Sequence, residues 1–332
     1  MTTRATHSSA SATQAAQHGP EAIGLGCMGM SGIYGATDDN ASIRTIQAAI
    51  DRGVRLLDTG DFYGMGHNEL LIGRAIVGRR EQVELSVKFG ALRGPDNSWY
   101  GIDTRPAAVK NFAAYSLKRL GVEVIDIYRP ARLDPAVPIE DTVGAIADLI
   151  KAGYVRKIGL SEVGVDTIRR AQRVHPIVDL QIEYSIATRS AEAKIFPVLH
   201  ELGIGATLYG VFSRGLLTGS KPQAGAGDFR AHLPRFAAQH RDNNAAVVGA
   251  LHEFARERGM SPGQLAVAWV LAREPRFMPV IGAKTVVQLE DALGALERPL
   301  SDRDLEQLDA MGALLGDRYG TEAMRQLDSE RS

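Results

Sequence analysis

The stretch TDDNASIRTIQAAIDRGVRLLD, residues 37–58, contains one complete helix-to-strand unit, and the same unit recurs along the chain. Its first part predicts an amphipathic helix, because apolar side chains return every three or four residues, at Ile43, Ile46, Ala49 and Ile50. Thr37 or Asp38 suits the N-cap, and Gly53 ends the helix. The remainder, VRLLD, predicts a short buried strand that ends at Asp58. Strands that alternate with helices in this way form a parallel sheet.

Eight short apolar segments, each separated from the next by a helical segment or a loop, have the character of strands. They are 22–26, 54–58, 83–89, 124–128, 155–160, 178–182, 204–209 and 278–282. Eight units in about 300 residues favour a closed (β/α)8 TIM barrel over an open doubly wound sheet. We therefore predict an α/β protein with one domain over residues 21–316, a flexible N-terminal tail (1–20) and a C-terminal tail (317–332). A long loop before the eighth strand and helices near the C-terminus complete the prediction.

The composition argues against several classes of partner. Acidic and basic residues nearly cancel in this chain of 332 residues, which leaves a formal charge of −1. Nucleic acids and anionic membranes usually bind a basic surface excess, so we expect neither as a partner. No segment reaches the ~18 consecutive apolar residues of a membrane span. The single cysteine, Cys27, suits a reducing compartment, and a cytoplasmic location is expected.

Three residues at or just beyond the carboxyl ends of predicted strands suggest acid–base chemistry: Asp58, Tyr63 and Lys88. A lysine at the end of a buried strand needs a carboxylate partner, and Asp58 ends the adjacent strand. A phenol is a poor acid at neutral pH, but a neighbouring ammonium group lowers its pKa. The trio therefore suits a proton donor to a carbonyl oxygen. The alternative is an ordinary salt bridge beside a surface tyrosine.

Four motifs resemble those of the aldo-keto reductase superfamily. LLDTGDFYGMGHNELLIGRAI (Leu56–Ile76) is similar to the signature D-T-A-x-x-Y-G-x-G-x-x-E, with Gly60 in place of the alanine. LSVKFG resembles the family's catalytic-lysine strand, IGLSEV its carboxamide-binding strand, and IGAKTVVQLEDAL its adenosine-phosphate segment. The resemblance runs from about Ile23 to Arg303. It implies a (β/α)8 barrel that binds NADPH across its C-terminal face and reduces an aldehyde or ketone, with Tyr63 as the general acid.

The resemblance also implies a cofactor site. At the nicotinamide, Ser161 and Gln181 would bind the carboxamide and Tyr209 would stack on the ring, although Glu162 replaces the family's usual asparagine. At the other end, Lys284 would meet the 2′-phosphate of NADP, where a cationic donor is expected. The further residues implied for the cofactor are Arg214, Gly215, Gln288 and Asp291.

The segment YRPARLDP, residues 128–135, keeps the family's frame Y-x-x-H-R-x-D-P but has Ala131 in the place of the catalytic histidine. We hypothesise that Arg129 or Arg132 partly compensates by reaching the substrate; the alternative is that they point outward or pair with acids. The expected substrate pocket comprises Met28, Phe62, Trp99, Tyr100, Arg129 and Ala131.

The sequence also allows three other interpretations. Gly24–Gly29 matches the dinucleotide fingerprint G-x-G-x-x-G, but further glycines would spoil the helix that should follow. Lys88 could be a Schiff-base lysine of a barrel aldolase, although pairing with Asp58 opposes this. A redox-sensing module with little turnover is the alternative from another class, since the histidine is missing. The eight histidines form no pair at metal-ligand spacing supported by carboxylates, so no metal site is predicted.

Overall fold

The computed structural model describes residues 18–96, 98–220 and 229–331, the side chain of Phe229 excepted. The predicted flexible tail, 1–20, lies outside the described residues except for 18–20. Part of the predicted long loop, 221–228, lies outside them as well. Among the described residues, no helix is both long enough and apolar enough to cross a membrane.

The chain forms the predicted closed barrel of eight parallel strands with an additional two-stranded hairpin. In chain order the strands are β1 (Gly24–Gly26), β2 (Leu56–Gly60), β3 (Glu84–Phe89), β4 (Ala91–Arg93), β5 (Trp99–Ile102), β6 (Ile125–Pro130), β7 (Val155–Ser161), β8 (Ile177–Glu183), β9 (Gly205–Tyr209) and β10 (Met278–Gly282). The barrel closes in the order β1-β10-β9-β8-β7-β6-β3-β2, so every predicted strand takes part. The hairpin of β4 and β5 follows β3 and was not predicted.

Helices surround the barrel, and all of those described except the last, α11, lie where the periodicity of the sequence indicates a helix. They are α1 (Asp39–Asp51), α2 (His67–Ala75), α3 (Pro106–Leu120), α4 (Ile139–Lys151), α5 (Val165–Val174), α6 (Ala191–Leu202), α7 (Arg241–Glu257), α8 (Pro262–Arg273), α9 (Val286–Leu293), α10 (Asp302–Asp309) and α11 (Thr321–Gln326). Asp38 caps α1 by accepting hydrogen bonds from the N–H groups of Asn40 (2.8 Å) and Ala41 (3.2 Å).

The protein has two kinds of interior. Between the strands and the helices lies the apolar core, which includes Leu57, Val87 and Tyr128, all buried. Inside the barrel, Leu56, Ile127 and Val280 fill one end. Successive residues of a strand point to opposite sides of the sheet, so Arg129 follows Ile127 into the barrel interior. Polar side chains therefore occupy the middle of the barrel and lead towards the carboxyl ends of the strands.

The C-terminal segment, 317–331, packs against the barrel. Arg318 is only 2% exposed, and Leu327 is also buried. The N–H of Gly164, at the start of α5, donates to Asp328 Oδ2 at 2.8 Å. The segment thus reaches the end of the barrel at which β7 and β8 terminate.

Candidate active site

Asp58, Lys88 and Tyr63 come together at the carboxyl ends of β2 and β3. Lys88 Nζ lies 2.6 Å from Asp58 Oδ2, and both side chains are at least 90% buried. The same ammonium group lies 5.3 Å from the centroid of the Tyr63 ring. The three predicted residues therefore share one buried site. Tyr63 is not the surface tyrosine of the alternative interpretation.

The loop after β2 holds Tyr63 in place. The N–H of Asp61 donates to Lys88 O at 2.9 Å, which ties the start of the loop to β3. The loop then turns sharply, with positive φ angles of 57° at Gly64 and 54° at Met65. Phe62 packs its ring edge-on against Tyr63, with the centroids 4.8 Å apart. The tyrosine side chain is consequently fixed at the end of the barrel.

Burial determines the protonation state of these groups. It raises the pKa of Tyr63 well above its usual value, with a further increase from the Asp58 carboxylate, while the charge of Arg132 acts in the opposite direction. The prediction that the neighbouring ammonium group lowers the pKa of Tyr63 below its usual value is therefore wrong. Burial also lowers the pKa of Lys88, which Asp58 opposes. Tyr63 thus carries its proton in neutral solution, beside a buried ion pair.

A ring of polar contacts below Tyr63 supports Asp58. Ser86 Oγ donates to Asp58 Oδ1 at 3.0 Å, and Gln181 Nε2 donates to the same oxygen at 2.8 Å. The ring continues through Arg129, which lies 2.6 Å from Asp179 and donates to Ser86 Oγ at 3.0 Å. The sequence reasoning missed Ser86 and Asp179, although each lies two residues from a predicted site residue on the same strand.

Arg129 is part of this ring and not of the substrate pocket. Its side chain is completely buried, and it also donates to Leu160 O and Thr207 Oγ1, both at 3.3 Å. Gly159 leaves room for it, since a Cβ there would lie 3.0 Å from the Arg129 guanidinium carbon. The assignment of Arg129 to the substrate is therefore corrected: the guanidinium group lies inside the barrel and is engaged there by Asp179, Ser86 and Thr207.

Ala131 and Arg132 follow β6 at the end of the barrel. Ala131 is 2% exposed, and its N–H donates to Phe89 O at 2.8 Å. The half-buried Arg132 folds back so that Nη1 donates to Ala131 O at 2.7 Å. Its charge lies close enough to Tyr63 and Lys88 to lower the pKa of each. Of the two arginines, Arg132 is therefore the one whose charge acts on the pKa of Tyr63.

Carboxylates near Arg132 have other partners. No ion pair of the described residues involves Arg132, and Glu162 is paired with Arg318. Asp134 accepts hydrogen bonds from the N–H groups of Thr104 (3.2 Å) and Ala136 (2.9 Å). Arg132 thus brings a positive charge to the site without a carboxylate against it.

The residues expected at a nicotinamide ring lie on adjacent strands. Ser161 ends β7, and its buried Oγ has no hydrogen-bond partner among the described residues. Gln181 lies on β8, directly opposite Ser161 in the register. Tyr209 ends β9 and is half-buried, with its OH donating to Glu162 Oε1 at 2.8 Å. A buried hydroxyl without a protein partner suits a ligand amide.

Glu162 cannot take the carboxamide role of the asparagine that it replaces. It is fully buried and has a positive φ of 54°. Arg318 contacts both of its carboxylate oxygens at 2.7 Å. Although its own burial opposes ionisation, the Arg318 charge and hydrogen bond lower the pKa of Glu162 to about 2. The sequence reasoning missed Arg318, because no local pattern links it to a residue 156 positions away.

The residues expected at the phosphate and adenosine end differ in exposure and in their hydrogen-bond partners. Lys284 is half-buried and donates from Nζ to Tyr34 O at 3.0 Å. Gln288 is exposed and accepts from the Lys284 N–H at 2.8 Å, while Asp291 accepts from Ser261 Oγ at 2.8 Å. The Gln288 side chain thus contacts the backbone just before α9, and the Asp291 side chain contacts the N-cap residue of α8.

Arg214 and Gly215 lie in the turn after β9. The Arg214 guanidinium group pairs with Glu183 at 2.9 Å and lies 4.7 Å from the centroid of the Tyr319 ring. Its side chain is 8% exposed. Gly215 has a φ of 91°, a conformation that favours glycine. The Arg214 charge is thus engaged by Glu183, and the backbone of the turn is the part left to approach a pyrophosphate.

The predicted pocket residues divide into two groups. Met28 and Phe62 are half-buried in the turns after β1 and β2. Trp99 and Tyr100, in contrast, lie on the hairpin strand β5 and are 49% and 66% exposed. The Arg93 guanidinium carbon lies 5.2 Å from the centroid of Trp99. The hairpin therefore presents two aromatic residues to solvent.

Comparisons with known proteins agree with this architecture. Residues 22–313 match the Aldo/keto reductase family. The chain is 39% identical over 307 residues to the probable aldo-keto reductase 1 of Glycine max, which covers 90% of this chain and 88% of that protein. It is 36% identical over 295 residues to the NADP(+) aldo-keto reductase yakc of Schizosaccharomyces pombe, covering 86% and 87% of the two chains.

Solved structures with the same fold include a glycerol dehydrogenase from Gluconobacter oxydans, with a TM-score of 0.80, 25% identity and 94% of each chain covered. An aldo/keto reductase from Klebsiella pneumoniae, in complex with NADP and acetate, has a TM-score of 0.69 at 25% identity, covering 90% of this chain and 94% of that chain. These similarities confirm the resemblance found in the sequence motifs.

Proposed function

The chain belongs to the aldo/keto reductase family, and from that premise we propose that it reduces an aldehyde or ketone to an alcohol, with NADPH as the hydride donor and Tyr63 as the proton donor. The observation that carries the proposal is the buried convergence of Tyr63, Lys88 and Asp58, with Lys88 Nζ 2.6 Å from Asp58 and 5.3 Å from the Tyr63 ring centroid.

Tyr63 acts as the acid because it holds its proton until negative charge develops on the carbonyl oxygen. A bound nicotinamide cofactor would supply the hydride to the carbonyl carbon, and Tyr63 would give its phenol proton to the carbonyl oxygen. The resulting phenolate is stabilised by the positive charges of Lys88 and Arg132. Asp58 orients Lys88, and the Ser86 and Gln181 contacts fix Asp58 in turn.

The residues of the barrel end fit a nicotinamide cofactor. Ser161 Oγ is buried and has no hydrogen-bond partner in the described part of the chain, which suits it to bind an amide, and Gln181 lies beside it. Tyr209 provides an aromatic face, and Lys284 provides a cation for a phosphate. NADP is also the cofactor of the yakc relative by its name, and it is bound in the Klebsiella pneumoniae structure.

Oxidation of NADPH against a panel of aldehydes, ketones and dicarbonyls tests the proposal. Tyr63→Phe removes the donated proton and is expected to lower kcat by about 10² to 10⁴, with NADPH binding retained. Tyr115→Phe is the matched control, since Tyr115 is 57% exposed on α3. Turnover that survives unchanged in Tyr63→Phe would rule out Tyr63 as the acid.

A redox-sensing module is the second candidate, and Ala131 is the observation that favours it. The alanine places no hydrogen-bond donor where the family has an imidazole, and losing one such donor commonly costs about 10² to 10³ in rate. Wild-type protein that binds NADPH tightly but oxidises it with no carbonyl of the panel would support the sensor and contradict the reductase.

A further inference from the structure

The C-terminal segment brings the guanidinium group of Arg318 next to the hydroxyl of Tyr209, the aromatic residue expected at the nicotinamide. Arg318 contacts both Glu162 oxygens at 2.7 Å. The hydroxyl of Tyr209 donates to Glu162 Oε1 at 2.8 Å and lies 3.4 Å from Arg318 Nη1. The tyrosine ring is therefore fixed through its hydroxyl by a group that arrives from the far end of the chain.

Further contacts join the same segment to the site. Tyr319 OH lies 3.3 Å from Tyr209 OH, and the Tyr319 ring lies under the Arg214 guanidinium group at 4.7 Å. Arg214 is paired in turn with Glu183, the last residue of β8. Arg318 and its neighbour Tyr319 thus link the ends of β7, β8 and β9.

The remainder of the segment is attached at several points. Ser329 Oγ donates to Glu162 Oε2 at 2.7 Å, and Glu330 accepts from Arg318 Nη2 at 2.8 Å. Asp328 accepts from the Gly164 N–H at 2.8 Å. These attachments hold both ends of the segment against the turn that contains Glu162.

We propose that residues 317–330 form a clasp that sets the position of Tyr209 and thereby of the nicotinamide ring, with Arg318 as its positioning residue. The inference rests on the proposed NADPH site and assigns to this segment a role in shaping one end of it. Glu162, which replaces the family's asparagine, acts as the anchor of the clasp and not as a ligand of the carboxamide.

The buried charges explain why Arg318 is needed. Without the guanidinium group, Glu162 would be a buried carboxylate with three neutral donors: the hydroxyls of Tyr209 and Ser329 and the N–H of Glu183. A buried charge without its partner is strongly unfavourable, so the Glu162 turn and Tyr209 would rearrange. The adenosine end of the site lies at Lys284 and α9, which the clasp does not contact in any of the hydrogen bonds of the described residues.

Binding of two ligands to Arg318→Met tests the clasp. NADPH reaches both ends of the site, whereas adenosine 2′,5′-bisphosphate reaches only the adenosine end. We expect the Kd for NADPH to rise about tenfold or more, as for the loss of a charged hydrogen-bond set, and the Kd for the bisphosphate to stay within about twofold. The control is Arg169→Met on α5, because this arginine also contacts both oxygens of a carboxylate, Glu201, but its side chain is 37% exposed; both Kd values should be unchanged.

The outcomes separate the clasp from a general structural role and from the proposed function. Unchanged NADPH binding in a folded Arg318→Met variant would overturn the clasp, and so would an equal loss for both ligands. If that variant does not fold, Ser329→Ala, which removes one hydrogen bond to Glu162, should still weaken NADPH binding more than bisphosphate binding; equal effects would contradict the proposal. Wild-type protein that binds neither ligand would refute the proposed function itself.

Discussion

At the scale of single residues, the segment after β6 lacks the histidine of the family's frame but keeps the arginine that follows it. Ala131 replaces the imidazole of the family's frame, while the next residue, Arg132, turns back over the Ala131 carbonyl at 2.7 Å. A guanidinium group presents several N–H donors in a fixed plane and stays charged at all working pH values. We therefore propose that Arg132 donates to the substrate carbonyl oxygen, the role that the family resemblance implies for the imidazole.

Arg132→Met tests this substitution of roles. Since the variant removes the donor and its charge, we expect kcat to fall by about 10², with the Kd for NADPH changed by less than about threefold. Arg132→Lys, which keeps the charge but not the planar set of donors, should recover part of the loss. Stopped-flow measurement of the hydride-transfer step provides the value, with Arg44→Met, an exposed arginine of α1, as the control. A rate equal to that of the wild type would show that Arg132 does not contact the substrate.

The sequence predicted the reactive residues better than their surroundings. Asp58 and Lys88 could be placed because each ends a strand, and strand ends meet at one face of a barrel. The direction of the Tyr63 pKa shift could not be obtained from the sequence, because it depends on how far burial outweighs the nearby cations. Arg129 was misplaced for a related reason: its position inside the barrel follows from β6 reaching Pro130, two residues beyond the predicted end.

At the scale of elements, periodicity was sufficient for the strands and most helices. Helix α5, for example, lies between the predicted strands 155–160 and 178–182, and helix α6 lies between 178–182 and 204–209. The hairpin of β4 and β5 was missed because it is short, exposed and interrupted by Gly94 and Pro95, so it has neither the apolar run nor the alternation of a core strand. Helix α11 was missed because it is short and has no buried residue.

Gly164→Ala provides a test of the clasp as an element, independent of its charges. Gly164 has φ −83° and ψ 173°, which alanine adopts freely, but an added Cβ would lie 2.8 Å from the backbone oxygen of Asp328. The clash is expected to cost about 1–3 kcal/mol and to be relieved by displacement of the C-terminal segment. Amide hydrogen exchange should accelerate over 317–331 while strands of the barrel keep their protection.

The control for this variant is Gly144→Ala on α4, where an added Cβ meets nothing within 4 Å. That change should leave exchange in the C-terminal segment unaltered and stabilise α4 slightly, by about 0.5–1 kcal/mol. Equal exchange profiles for Gly164→Ala and the wild type would mean that the segment is not held by its contact with the start of α5.

At the scale of the whole molecule, the closed barrel brings distant parts of the chain to one face. Arg318 meets Glu162 across 156 positions and Gln181 meets Asp58 across 123. The second contact joins two residues that the predicted barrel brings to one face, although the sequence predicted no hydrogen bond between them. The first does not, because the segment after the barrel has no pattern that fixes where it returns. The sequence was thus sufficient to predict the fold and to bring Asp58, Tyr63 and Lys88 together, whereas the clasp is evident only in the three-dimensional structure.

Stability as a function of pH should reveal a buried acid, Asp61, in the loop after β2. Burial, together with the charge of Glu69, raises the pKa of Asp61 to about 8, while Arg119 opposes the shift. The folded protein therefore holds a proton that the unfolded chain releases above about pH 4. From there to about pH 8, this group lowers the free energy of unfolding by up to about 1.4 kcal/mol per pH unit.

Asp61→Asn removes that titration and keeps the shape of the side chain. We expect the variant to gain stability relative to the wild type as the pH rises from 5 to 8, because the amide stays neutral while the wild-type carboxyl is drawn towards ionisation. Urea unfolding at several pH values in this range measures the difference in the free energy of unfolding. Glu123→Gln, at an exposed acid, should show a difference that does not change with pH. A constant difference for Asp61→Asn as well would show that Asp61 is ionised in the folded protein throughout the range.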